Sequence, residues 1–163
     1  MQQSFKLPRI GMRNIKTSIA VLLSIIALRI LGMEVPFYGC IAAVITMQNQ
    51  VDSSYKVGIE RMTGTLIGAG FGVVFALIQE HNIWLITLGT ALVIYFTNLV
   101  NQSNSVSIAC IVFLSIMTNL TETTSIRYSI DRVIETFVGI NIAVAVNALI
   151  YPPKPAENQH DTE

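Results

Sequence analysis

Two arginines occupy matching places in two copies of one motif. Arg61 lies in KVGIERMTGTLIG (56–68) and Arg132 in RYSIDRVIETFVG (127–139). Ile59, Arg61, Thr65 and Gly68 recur as Ile130, Arg132, Thr136 and Gly139, an offset of 71 (132 − 61). A guanidinium stays charged and presents a planar fork of donors that matches the two oxygens of a carboxylate. A pair of them, with Lys56 and the hydroxyls of Thr65 and Thr136, could line a positively charged path for an organic anion. Glu135 replaces Gly64 in the second copy and puts a carboxylate one helical turn beyond Arg132. In an apolar segment such a carboxylate is costly unless paired, and Arg132 is the nearest cation; it could also carry a proton. The purely structural alternative is that both arginines end their helices, reaching toward headgroups or pairing with Glu60 and Asp131.

Around these residues the motif is nearly bare. Arg61, Gly64, Thr65, Gly68 and Gly72 fall along one helix face, as do Arg132, Glu135, Thr136, Gly139 and Ala143. Glycines at this spacing let two backbones approach closely in lipid, so Gly64, Gly68, Gly72 and Gly139 read as helix-packing positions. Asn98, Asn141 and Asn147 could line a path, but bonding across helices is the simpler role. Cys40 and Cys110 fall inside apolar segments, which fits neither a disulfide framework nor a metal site, and no cofactor is implied. No H-E-x-x-H or G-x-S-x-G is present, and the two histidines, His81 and His160, lie in a loop and the tail, so an enzyme is not expected. A net charge of zero without a basic stripe gives no argument for nucleic acid.

The elements that must position these residues are apolar helices. The chain is 52% hydrophobic and 12% charged, with mean hydropathy +0.59, which is the composition of a membrane protein. From residue 81 to residue 121 there is no Asp, Glu, Lys or Arg. One span needs only about 20 apolar residues, so this stretch holds two, separated by the polar run from Asn101 to Ser105. Six helices are expected in all: about Lys16–Met33, Pro36–Gln50, Val57–Ile78, Ile83–Val100, Val106–Leu120 and Tyr128–Tyr151. Trp84 and the tyrosines Tyr38, Tyr55, Tyr128 and Tyr151 fall near span ends, where amphipathic rings prefer the headgroup level. The second and fifth candidates are short and could be re-entrant, leaving four crossings.

Six crossings with both termini inside put Lys6, Arg9, Arg13, Lys16, Lys56, Arg61 and Lys154 on the cytoplasmic side and Arg29, Arg127 and Arg132 outside; four crossings would divide the cations evenly. The upstream segments GCIAAVITMQN (from Gly39) and ACIVFLSIMTN (from Ala109) repeat with an offset of 70 (110 − 40, between the cysteines). A duplication of about 70 residues therefore spans most of the chain. The fold class expected is all-α, a polytopic membrane protein of six transmembrane helices in a 3+3 inverted repeat. Its halves are about 10–80 and 81–153, one membrane domain over 1–153, with a polar cytoplasmic tail at 154–163. Inverted repeats often place a substrate path at their interface. A basic start followed by an apolar run is signal-like, but Arg29 interrupts the run and no small-x-small cleavage site follows, so an uncleaved first span is expected.

The runs GMRNIKTSIAVLLSI, EVPFYGCIAAVITMQ, YKVGIERMTGTLIGAGFGVVFAL and DRVIETFVGINIAVAVNALIYPP resemble the bacterial aromatic acid exporter group of the fusaric acid resistance superfamily. The resemblance covers about Ile10 to Pro153; its most specific parts are R-x-x-G-T-x-x-G at 61–68, R-x-x-E-T-x-x-G at 132–139 and the stretch Asn147–Pro153. The group is similar in membrane architecture to plant aluminium-activated malate transporters, which conduct organic anions as dimers. The resemblance thus implies a multi-pass transporter or channel of the bacterial plasma membrane that exports aromatic or other organic acid anions. A lone six-helix unit with a glycine-lined face is expected to build its path by pairing with itself, as a homodimer. The alternative is a noncatalytic membrane subunit that needs a partner. Many relatives carry a further domain after the last span, whereas here KPAENQHDTE follows Pro153, so a minimal member and a fragment are both open.

Overall fold

The computed structural model describes residues 11–33, 36–118 and 124–150. Among them are six α-helices: α1 Met12–Ile30, α2 Phe37–Thr46, α3 Val51–Ile78, α4 Ile83–Leu99, α5 Val106–Met117 and α6 Ser125–Leu149. A single 3-10 turn, Ser103–Ser105, leads into α5. The expected all-helical class and its six elements are present. The expected ends at Leu120 and Tyr151 lie outside the described residues.

Two boundaries move for local reasons. α3 begins at Val51 and not at Val57, with Asp52 in its first turn, where a negative charge complements the helix dipole. α2 stops at Thr46 because Met47 is extended, and the Gln48 N–H donates to Ser54 Oγ (2.9 Å) rather than continuing the helix. The ends of α1 and α4 are alike. Gly32 (φ 84°) and Asn101 (φ 57°) take the left-handed conformation one residue past the cap. After α1, Gly32 N–H donates to Arg29 C=O and Met33 N–H to Leu28 C=O; after α4, Asn101 N–H donates to Asn98 C=O and Gln102 N–H to Thr97 C=O. Both are Schellman closures, which satisfy carbonyls that a helix end leaves unpaired.

The helices pack across the two sequence halves. α2 lies against α6 and α5 against α3; α1 covers α2 and α6, α4 covers α5 and α3, and α3 lies against α6. Two apolar cores result. One gathers Ala69, Phe75 and Ala76 of α3, Val93 of α4, and Val112, Phe113 and Ile116 of α5. The other gathers Ala20 of α1, Ala43 of α2, Met47, and Ala143 and Val146 of α6. The glycine face works at backbone level: a Cβ on Gly68 would run into the carbonyl oxygen of Ala109, and one on Gly139 into that of Gly39. These contacts correspond under the two offsets, 68 to 139 by 71 and 39 to 109 by 70.

Polar contacts mark the two ends of the bundle. Near the start of α1, Lys16 Nζ donates to Asn147 Oδ1 (3.0 Å) near the end of α6. The Asn147 amide donates in turn to Gln48 C=O (3.0 Å) and Ser54 Oγ (2.8 Å). At the opposite end Ser125 Oγ bonds to the Glu80 carboxylate, and His81 N–H donates to Met117 C=O (3.3 Å). The described chain therefore starts and finishes at the same end.

Large apolar side chains cover much of the exterior; Leu77, Trp84 and Leu149 are 71%, 83% and 82% exposed. α3 and α6 are long and apolar enough to cross a membrane. With 10 and 12 residues, α2 and α5 reach only about 15 and 18 Å, against a hydrocarbon thickness of about 30 Å.

Overpacking a close backbone contact costs about 1–3 kcal/mol. Gly139→Ala is expected to destabilise the protein by that amount. Gly70→Ala, where a Cβ meets nothing within 4 Å, should be neutral or gain up to about 1 kcal/mol of helix propensity. Thermal unfolding of both variants in detergent micelles compares them.

Candidate functional site

α2 begins part-way along α6, and its first turn meets the second motif. Gly139 allows the approach, since it lets the α6 backbone come directly against the Gly39 carbonyl. One turn earlier on the same face is Glu135, 2% exposed. Its Oε2 accepts from the Tyr38 N–H (2.9 Å) and the Gly39 N–H (3.3 Å), two donors that the start of a helix leaves without partners. Its Oε1 lies 3.3 Å from Arg132 Nη2. The carboxylate thus ties the α6 cation to the positive end of α2.

Arg132 is 9% exposed. Its guanidinium carbon is 3.6 Å from the ring centroid of Tyr38 and 4.4 Å from that of Tyr128. Such cation–π contacts strengthen as water is excluded. Among the described residues Nε and Nη1 find no hydrogen-bond partner, so only the Nη2 corner is engaged. Two donors of a nine-tenths buried guanidinium are therefore left over.

The first motif is built differently. Arg61 is 6% exposed, its Nε makes no hydrogen bond, and no carboxylate among the described residues comes within 4.0 Å of it. Pairing with Glu60 does not occur; that carboxylate accepts from the Asn104 amide (2.8 Å), while Ser105 Oγ donates to the Glu60 carbonyl (2.7 Å). Gly64 stands where the second copy has Glu135, and a Cβ there would press on Ser105 C=O and Ile108. Thr65, 1% exposed, donates its hydroxyl back to Arg61 C=O (2.9 Å).

Of the residues singled out from sequence, the second motif brings Arg132 and Glu135 into direct contact, with Thr136 buried one position on. Arg61 and Thr65 are buried on α3. Lys56 is exposed and does not join them. Asn147 bonds across helices, whereas Asn98 and Asn141 are exposed and the Asn141 amide donates back to Phe137 C=O (2.7 Å). Tyr38 and Tyr128, read as interfacial rings, lie against Arg132. Their spacing from the motif carried no such signal in the case of Tyr38. For Tyr128 the signal was available, since it precedes Arg132 by four residues on one helix. No cluster of three or more potential metal ligands occurs among the described residues.

A family model described as "Aromatic acid exporter family member 1" matches residues 8–150. The chain belongs to the aromatic acid exporter family. Its relatives include UPF0421 proteins of Staphylococcus aureus strains USA300, NCTC 8325 and MRSA252, each 26% identical over 146 residues. Each alignment covers 89% of this chain and 44% of the relative, so the chain spans less than half the length of these relatives. No solved structure matches it. An exporter family with two apolar helices of crossing length points to a membrane protein, and every buried charge of the motif then lies where its pairing matters most.

Removing one member of a buried pair leaves the other uncompensated, at about 3–5 kcal/mol. Arg132→Met is expected to lose stability in that range. Arg132→Met combined with Glu135→Gln, which removes both charges and keeps an acceptor for α2, should recover most of it. The midpoint of thermal unfolding in micelles reads the difference.

Proposed function

We propose that this chain forms a membrane pathway that exports aromatic or other organic acid anions across the bacterial plasma membrane, with Arg132 as its principal anion-binding group. The observation that carries this reading is the Arg132 arrangement: a guanidinium nine-tenths buried, flanked by two tyrosine rings, with Nε and Nη1 idle. Membership of an exporter family supports the substrate class. An aromatic carboxylic acid has a planar anionic end for the fork and an apolar ring for the tyrosines. Arg61, buried without a counter-ion among the described residues, is a second positive station. Thr65 and Thr136 lie beside the two arginines.

The pathway is built as six helices in two inverted halves. The cross-packing of α2 on α6 and α5 on α3, the paired contacts of Gly68 and Gly139, and the matching ends of α1 and α4 support that reading. The short α2 and α5 then act as half-helices whose N-termini face the motif, a device that transporters use to hold anionic groups. The meeting of Lys16 and Asn147 at one end supports an even number of passes, and the cation count favours both termini on the cytoplasmic side. Two copies pair as a homodimer in the bilayer.

Uptake of labelled p-hydroxybenzoate and malate into proteoliposomes holding only this chain tests the proposal. Saturable flux that Arg132→Ala abolishes is expected. Flux unaltered by Arg132→Ala would overturn the role of that residue. No flux from folded protein would favour the alternative, a noncatalytic membrane subunit that needs a partner.

A further inference from the structure

The Glu135 carboxylate uses the very donors that a substrate carboxylate would need. Oε2 takes two backbone N–H groups at the start of α2, and Oε1 takes one nitrogen of Arg132. A helix N-terminus beside a guanidinium is a strong site for an anion. Yet the fit is incomplete. Glu135 is anchored on the same helix, three residues from Arg132, and its two oxygens are divided between the two sets of donors. Nη2 is engaged while Nε and Nη1, its neighbours on either edge of the guanidinium, stay idle in a side chain that is nine-tenths buried. A carboxylate free of the α6 backbone could engage Nη2 together with one of these in a bidentate pair. It would approach from a side not taken by Tyr38 and Tyr128, whose ring centroids lie 3.6 and 4.4 Å from the guanidinium carbon.

We infer that Glu135 is a built-in stand-in for the substrate: its carboxylate occupies the anion site of the resting protein and gives way to the carboxylate of an organic acid. This rests on the reading of Arg132 as an anion-binding group. The first motif provides the contrast, since Gly64 leaves Arg61 without a tethered competitor. Displacement transfers the Arg132 and α2 contacts from an internal anion to an external one, so the buried cation is never left bare. The resting site is thereby closed to small inorganic anions that offer too little to displace the side chain.

Binding of p-hydroxybenzoate to the purified full chain in lipid nanodiscs, followed by calorimetry, tests this. If Glu135 fills the site about nine-tenths of the time, removing its competition lowers the apparent Kd about tenfold. Glu135→Gln keeps an oxygen for the α2 N–H groups and removes the charge. Glu135→Asp keeps the charge on a shorter arm that cannot span both donors. Both are expected to bind more tightly than the parent, and adding Arg132→Lys to Glu135→Gln should erase the gain. Saturating ligand should raise the unfolding midpoint of Glu135→Gln more than that of the parent. Tighter binding by Glu135→Gln with none by Glu135→Asp would mean simple repulsion and would overturn the stand-in. Should Glu135→Gln fail to fold, Glu135→Asp decides alone. Unchanged affinity in the folded Glu135 variants, with binding lost in Arg132→Lys, would sink the stand-in and leave the anion site standing. Absence of binding in every variant would remove both.

Discussion

Two glycines without side chains determine how the halves meet. At Gly68 and Gly139 a long helix lies against the backbone carbonyl of a short one, Ala109 in the first case and Gly39 in the second. Within lipid the hydrophobic effect gives helices no reason to associate, so close packing and polar contacts must do it. The Gly139 contact also sets the electrostatics. By bringing the start of α2 against α6 it places the Tyr38 and Gly39 N–H groups within reach of Glu135, and Glu135 in turn engages Arg132. A buried carboxylate is therefore held by one cation and two backbone dipoles, and the cation is further held by two aromatic rings.

The two copies of the motif have diverged at one position, and the consequences are local. With Glu135 the second copy is a compensated cluster that fastens a helix end. With Gly64 the first copy lets Ser105 and Ile108 come close, sends Glu60 to Asn104, and leaves Arg61 buried without a carboxylate among the described residues. The second motif thus holds a guanidinium paired with a carboxylate, and the first holds one with no carboxylate within 4.0 Å among the described residues.

Much of the fold was legible because its signals are local and repetitive. Apolar runs between polar turns located six helices, and the recurrence of Ile59, Arg61, Thr65 and Gly68 identified the faces that pack. The pairing of Arg132 with Glu135 was legible too, being three residues apart on one helix. Tyr38 was not, because its contact with Arg132 joins elements 94 positions apart (132 − 38) and depends on where α2 starts. Rules for interfacial aromatics sent it, with Tyr128, to the headgroups, since sequence gives no sign that a ring has a guanidinium to cover. Lys16 was counted among cytoplasmic charges, yet it is 7% exposed because Asn147, 131 positions away, accepts from its ammonium. Helix ends moved where an unlike partner intervened, as when Ser54 took the Gln48 N–H and ended α2 early.

The central claim is that an aromatic carboxylate is received at Arg132, and direct visualisation addresses it without depending on flux or stability. Crystals grown in lipid and soaked with 4-bromobenzoate would reveal the ligand through the anomalous signal of bromine. The account predicts a bromine beside the rings of Tyr38 and Tyr128, with the carboxylate on the Arg132 guanidinium and the Glu135 side chain turned away. Bromine bound elsewhere, with the Arg132–Glu135 pair undisturbed at saturating ligand, would contradict it.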